Sequence, residues 1–320
     1  MKRRPLGRSG LEVAPLAFGA NVFGWTVDEP TAFRLLDAFT DHGFNLVDTA
    51  DVYSKWAPGN SGGESESVIG RWISLGGGRR DRIVLATKVG MEMPGAKKGL
   101  SRACIAQAAE DSLKRLKTDR IDLYQAHAED PATPIDESLE AFSRLVSAGK
   151  VRAVGASNFS AESLLAADNA AQRAGVRRFE SLQPPYNLYS RQEYEEKLAP
   201  ACKRLGIGVI PYYGLASGFL TGKYRGEADL AQSPRGAGIK TKYMNERGMR
   251  ILAALDGVAK AKKAKCSQVA LAWLMSRPTI TAPIASATTI AQLRELMAAA
   301  ELRLDDSSLS LLDQASAYQT

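Results

Sequence analysis

Short apolar runs alternate along the chain with longer stretches in which apolar positions recur every three or four residues. The runs are Pro15 to Gly19, Phe44 to Asp48, Arg82 to Lys88, Ile121 to Gln125, Val151 to Ala156, Phe179 to Gln183, Ile207 to Tyr212 and Ile280 to Ala285. Their length and β-rich composition predict strands. Between them, sets such as Ile105, Ala109, Leu113 and Leu116, or Leu139, Phe142, Leu145 and Val146, have the spacing of one helix face. Thr133-Pro134-Ile135-Asp136 reads as a capping box with proline at the first helical position, and Pro30 stands where another first turn would begin. Eight strands, each followed by a helix and with no linker between them, predict an α/β chain closed into a (β/α)8 barrel, residues 1–320 forming a single domain that ends in a C-terminal helix.

The rival is a doubly wound sheet. In a dinucleotide-binding protein that sheet carries a GxGxxG turn after its first strand. Here the first strand leads into Ala20-Asn21-Val22-Phe23-Gly24, and the GxG of Gly206 and Gly208 is followed by Pro211, so the fingerprint is absent. Arg4 to Val13, with Gly7 and Gly10 at its middle, predicts a β-hairpin placed to plug the barrel bottom. Ser217 to Met244, rich in Gly, Lys and Arg, is longer than a plain connection and is expected to be a functional or disordered loop.

Composition narrows the function classes. With 45% apolar and 24% charged residues among 320, the chain is of the globular kind. Its three cysteines, Cys104, Cys202 and Cys266, lie far apart, which excludes a disulfide scaffold and a cysteine-built zinc site. Lys and Arg exceed Asp and Glu by 42 to 35, a net charge of +7. The basic residues are scattered pairs without interleaved aromatics, so no nucleic-acid partner is expected, whereas a small anionic ligand suits the balance. No apolar run spans a bilayer, and the N-terminus reads as no signal peptide, so the expectation is a cytoplasmic protein with no membrane partner. The sequence carries no signature of an oligomeric state.

In such a barrel the reactive groups belong at the C-terminal strand ends. The second run ends in Asp48, with Tyr53 five residues on; the third ends in Lys88; the fourth leads to His127. Each has an ordinary alternative: a turn-capping Asp, a rim aromatic, a surface Lys, a satisfied core His. Together at successive strand ends they form a proton-donor device. A free phenol titrates at ~10. An ammonium about 4 Å away, at an effective dielectric of about 20, favours the phenolate by roughly 4 kcal/mol. Tyr53 beside Lys88 is therefore expected to be pulled downward, with Asp48 holding the lysine and His127 polarising a carbonyl oxygen. Asp48, Asp51 and His127 could instead ligate a cation, but Lys88 would repel it, so no metal is expected.

The motifs Asp48-Thr49-Ala50-Asp51-Val52-Tyr53, Thr87-Lys88, Asp122 to His127, Gly149 to Asn158, Gln183-Pro184-Pro185-Tyr186-Asn187 and Leu215 to Tyr224 occur in this order. In them the chain resembles the aldo-keto reductases over nearly its whole length. The resemblance implies a (β/α)8 barrel that binds NADPH, with NAD as the alternative cofactor, and reduces a small aldehyde or ketone by hydride transfer. It implies Asp48, Tyr53, Lys88 and His127 as the catalytic tetrad, Tyr53 being the acid. Ser157, Asn158 and Gln183 would bond the nicotinamide carboxamide, and Tyr212 would stack on its ring. Tyr213, Leu215, Ser217 and Lys223 would line the pyrophosphate path, with Arg235 closing over it.

The adenosine phosphate would sit near Ser286, Thr288, Gln292 and Glu295. Thr289 and Gln292 also fit a capping box, so a helix start there favours an anion. Many relatives have Gly at Ser286, a basic residue near Thr288 and Glu-Asn where this chain has Glu295-Leu296; lysines and arginines of the Ser217 to Met244 loop are the expected replacement for the missing cation. Phe23, Trp25 and Trp56 fall in loops after the first two strands, either walling the substrate pocket or packing at the rim. Some members of this family act mainly by partner binding, so a nicotinamide-binding regulatory subunit is the alternative function.

Overall fold

The computed structural model describes residues 2–95, 98–232 and 236–318. An antiparallel hairpin opens the chain: β1 (Arg4–Pro5) pairs with β2 (Glu12–Val13), and Gly7 and Gly10 between them have positive φ. Eight parallel strands follow: β3 (Ala17–Gly19), β4 (Leu46–Asp48), β5 (Val84–Val89), β6 (Ile121–Ala126), β7 (Val151–Ser157), β8 (Ser181–Gln183), β9 (Gly208–Val209) and β10 (Ile284–Ala285). They pair in the order β10-β3-β4-β5-β6-β7-β8-β9. The sheet closes on itself, since Thr281 and Ile284 donate their backbone N–H groups to the Val209 and Pro211 carbonyls, each over 2.8 Å. This is the (β/α)8 barrel, with the hairpin, that the pattern predicts.

The helices lie outside the barrel. α1 (Glu29–Asp41), α2 (Glu64–Ser74), α3 (Arg102–Leu116), α4 (Ile135–Ser147) and α5 (Ala161–Ala174) alternate with the first strands. α6 (Ala199–Leu205), α7 (Gly236–Tyr243), α8 (Glu246–Lys262), α9 (Cys266–Met275), α10 (Ile290–Ala298) and the C-terminal α11 (Asp306–Ala315) complete the set among the described residues. Side chains cap several starts: Asp28 accepts from the Thr31 N–H at 3.0 Å for α1, and Thr289 accepts from the Gln292 N–H at 3.2 Å for α10. The predicted faces of α3 and α4 are buried, from Ile105 to Leu116 and from Leu139 to Leu145. No helix among the described residues is long and apolar enough to cross a membrane.

Three expectations change. The box at Thr133 does not form: its hydroxyl donates to Asp130 over 2.6 Å, and α4 starts after Pro134 with no side-chain cap. Several strands are shorter than their apolar runs, the last one keeping only Ile284–Ala285 in its ladder while Ile280 makes a single bridge to Val209. Ser217 to Met244, expected as a loop, holds 3₁₀ turns at Ala216–Thr221 and Glu227–Gln232 and the helix α7. Buried Phe219, Leu220, Tyr224, Ile239 and Tyr243 fold it down, with Phe219 stacked on Tyr243 at 5.5 Å.

Alternation along the strands builds the barrel in layers. Ala17, Leu46, Val84, Ala86, Leu123, Ala153, Ile210 and Ala282 fill the interior with Leu6, Leu11 and Val13 of the hairpin, which plugs one end. The outward residues Leu85 and Val89 pack with the helices. Two residues beyond Leu46, Ala86, Leu123 and Ile210 stand Asp48, Lys88, Gln125 and Tyr212. The apolar filling therefore gives way to a polar layer at the end opposite the hairpin.

Candidate active site

Asp48 ends β4 and Lys88 lies near the end of the neighbouring β5; their relative exposures are 1% and 0%. The Lys88 Nζ donates to Asp48 Oδ2 over 2.8 Å, to the Thr49 carbonyl over 2.7 Å and to the Tyr53 hydroxyl oxygen over 2.8 Å. Three acceptors thus satisfy all three ammonium protons. Gln183 Nε2 donates to Asp48 Oδ1 over 2.9 Å, with Gln125 Nε2 at 3.4 Å from the same oxygen. The sequence reading did not assign Gln125, although its register beside Lys88 across β5 and β6 marks it.

Burial pulls the Lys88 ammonium below its ordinary value, and the Asp48 carboxylate opposes that shift. Burial pushes the Tyr53 phenol well above its ordinary value, and Asp48 pushes it the same way. This corrects the expectation of a phenol drawn down by the lysine: desolvation of the phenolate and the carboxylate's charge outweigh the ammonium. Tyr53 consequently keeps its proton at neutral pH. Its contact with Asp48 Oδ2 is 3.5 Å, too long to hold that proton firmly, so the hydroxyl can turn toward another acceptor.

His127 follows β6, with its ring centroid 6.0 Å from that of Tyr53. Burial first, and then the Lys88 charge, hold the imidazole at about 3, so it is neutral. Its buried Nδ1 has no partner among the described residues. The four predicted tetrad residues therefore meet at one place, as neutral phenol, ion pair and neutral imidazole.

Asp48, Tyr53 and His127 line one end of a cavity of about 910 Å³, at the upper end of the usual ligand range. Ser157, Asn158, Gln183 and Tyr212, expected at the nicotinamide, line the same cavity. Asn158 donates to the His127 carbonyl over 2.9 Å and to Ser157 Oγ over 3.1 Å, while Tyr212 OH donates to Asn158 Oδ1 over 2.7 Å. Both amide hydrogens of Asn158 and of Gln183 point to protein acceptors. What remains is acceptor capacity on their oxygens, which fits the NH2 of a nicotinamide carboxamide.

Farther along run Tyr213, Leu215, Ser217 and Lys223. Tyr213, Ala216 and Ser217 have φ of 57°, 48° and 59°, a left-handed stretch that costs free energy and clusters at functional clefts. Ser286, Thr288, Gln292 and Glu295 also line the cavity, joined by Asn21, Lys265 and Ser267, which the sequence reading did not assign; Asn21 stands two residues past the end of β3, whereas Lys265 and Ser267 lie at the start of α9, away from any strand end. Ser286 Oγ donates to Asn21 Oδ1 over 2.7 Å. Gly19 makes room for it, since a Cβ there would stand 2.7 Å from that hydroxyl. Arg235 lies outside the described residues.

Trp25 and Trp56 stand at the cavity wall beside Tyr53, their rings edge-to-face at 5.8 Å. Phe23 does not join them, which corrects its assignment to the substrate wall: it is wholly buried and stacks on Phe18 at 5.3 Å in the core.

The model of the family described as Aldo/keto reductase family matches residues 15–317. A Bacillus subtilis protein named "Uncharacterized oxidoreductase YrpG" is 39% identical over 316 residues, 96% of this chain and 94% of its own length. "Aldo-keto reductase YhdN" of the same organism is 34% identical over 292 residues, covering 87% and 82%. A "Probable voltage-gated potassium channel subunit beta" of Arabidopsis thaliana is 35% identical over 309 residues, covering 94% and 92%. With the barrel and the geometry above, these matches place the chain in the aldo/keto reductase family, as an NAD(P)H-dependent oxidoreductase of carbonyl and alcohol groups.

Proposed function

We propose that the chain, as one barrel domain working in the cytoplasm, reduces small aldehydes or ketones to alcohols with NADPH, Tyr53 being the proton donor. The observation that carries this reading is the Tyr53 hydroxyl, 2.8 Å from the buried Lys88 ammonium and in the wall of a cavity of about 910 Å³. When bound, the nicotinamide cofactor supplies a hydride to the carbonyl carbon. Tyr53 gives its proton to the carbonyl oxygen, and the phenolate left behind is stabilised by Lys88, which Asp48 fixes in place. His127, neutral over the working range, donates a hydrogen bond that holds the carbonyl oxygen beside Tyr53. Ser157, Asn158, Gln183 and Tyr212 hold the nicotinamide, Lys223 and the left-handed stretch face the pyrophosphate, and Trp25 and Trp56 wall the substrate. In the test, Tyr53→Phe lowers turnover of a carbonyl panel by at least about 100-fold, while NADPH titration followed by fluorescence is nearly unchanged. Full turnover by the variant rejects Tyr53 as the acid.

A second reading, a nicotinamide-binding regulatory subunit acting mainly through a partner, is favoured by the 35% identity to the plant protein. Tight NADPH binding with no turnover of any member of the panel would select it.

A further inference from the structure

We propose that Lys265, in the turn entering α9, supplies the cation by which the cavity prefers a dinucleotide with a phosphate on its adenosine ribose over one without. The inference rests on the reading of the cavity as a nicotinamide dinucleotide site, and it names a residue that the family pattern does not supply. The two cofactors differ by one phosphate, so selecting between them is an electrostatic task at the end of the cavity away from Tyr53.

Two lysines line the cavity among the described residues, Lys223 and Lys265. Lys223 borders the left-handed stretch, with its Nζ 5.0 Å from the Tyr224 ring centre, where the proposed binding mode would run the diphosphate common to both cofactors. Lys265 lines the cavity with Ser267, Thr288, Gln292 and Glu295. It is exposed and makes no ion pair among the described residues, and its backbone N–H is fixed by Gln268 Oε1 at 2.8 Å.

The other candidates are engaged elsewhere. Arg225 forms a bidentate pair with Asp256 at 2.7 and 2.8 Å. Lys240 pairs with Glu227 over 2.5 Å, Lys262 pairs with Asp305 over 2.5 Å, and Lys242 lies over the Tyr243 ring. The loop expected to replace the missing cation therefore offers only Lys223 to the cavity among its described residues. Thr288 has its N–H and hydroxyl turned to Gln292 Oε1 at 2.9 and 3.0 Å.

Glu295 sharpens the argument. Ser267 donates a hydrogen bond to its carboxylate, tying the start of α9 to α10. That carboxylate repels a phosphate brought to this end, and Lys265 is the cation lining it that offsets the repulsion.

The test is equilibrium titration of NADPH and NADH, and of adenosine 2′,5′-bisphosphate against adenosine 5′-monophosphate, into the wild-type chain, K265A and K265R. Loss of one charge-assisted hydrogen bond predicts that K265A weakens NADPH and the bisphosphate by roughly tenfold or more. NADH and the monophosphate shift less than about twofold, K265R restores most of the loss, and the wild-type preference narrows as salt rises. Equal weakening of both cofactors by K265A, or no weakening, overturns the assignment while leaving the dinucleotide reading intact. Failure of the wild-type chain to bind either cofactor overturns both.

Discussion

Asp51 carries a charge problem that the ion pair beside it does not solve. It is buried, its Oδ1 has no partner among the described residues, and the Glu66 carboxylate stands near it. Glu66 is itself satisfied, accepting from Thr87 over 2.6 Å and from Arg115 over 2.7 Å. Burial, and then Glu66, raise the Asp51 carboxyl to about 7, against the weaker pull of the Val52 N–H, Arg115 and Lys88. A carboxyl that holds its proton more tightly in the native chain stabilises it fully below its unfolded value of ~4 and progressively less as pH climbs to neutrality. Asp51→Asn removes that penalty. The melting temperature of the variant relative to wild type should therefore rise by a few degrees between pH 5 and pH 8; parallel pH curves would show that Asp51 does not titrate there. His127 behaves oppositely: with its value at about 3, its ring protons should show no titration by NMR between pH 5 and 8. The polar strand-end residues were legible in the sequence because a barrel sends chemistry to one end. The direction of the Tyr53 shift was not, because it depends on how dry the hydroxyl is, which only the packed structure reveals.

At the level of elements, a buried pin joins three neighbouring strands at the end opposite the cavity. Asp122 of β6 accepts the Leu85 N–H of β5 over 2.9 Å and pairs with Arg80 and with Arg152 of β7, each at 2.8 Å. Removing a buried charge partner leaves the others uncompensated, so Asp122→Ala should cost about 3 kcal/mol in denaturant unfolding. Asp122→Asn, which keeps an acceptor for Leu85, should cost less; equal stability of all three chains would show that the pin is idle. The helix faces were readable because their apolar spacing is local and strong. Phe23, by contrast, was placed at the cavity by its loop position, and a loop aromatic turns inward or outward according to neighbours, here Phe18, that sequence distance does not reveal. The Ser217 to Met244 segment hid its turns and α7 because its glycines and lysines mask the few apolar residues that fold it.

For the molecule as a whole, the eight-strand pattern was the most legible feature, since closure needs only the count and the alternation. Barrel and cavity together predict a linkage. A dinucleotide bound across the residues after β7 to β10 bridges segments distant in sequence, so it should stabilise the native chain as a unit. At about 100 times its dissociation constant, NADPH should add roughly 2.7 kcal/mol. Differential scanning calorimetry should then show one transition moving upward with NADPH concentration; a transition unmoved by saturating cofactor would contradict the assignment of the cavity.

The hairpin has a kinetic consequence. Because Leu6, Leu11 and Val13 stopper the barrel from below, whatever reacts at Tyr53 arrives and departs through the same doorway. On the proposed function, hydride donor and acceptor would then have to queue, the larger molecule entering first and leaving last, since a carbonyl compound already seated against the Trp25–Trp56 pair would block its path.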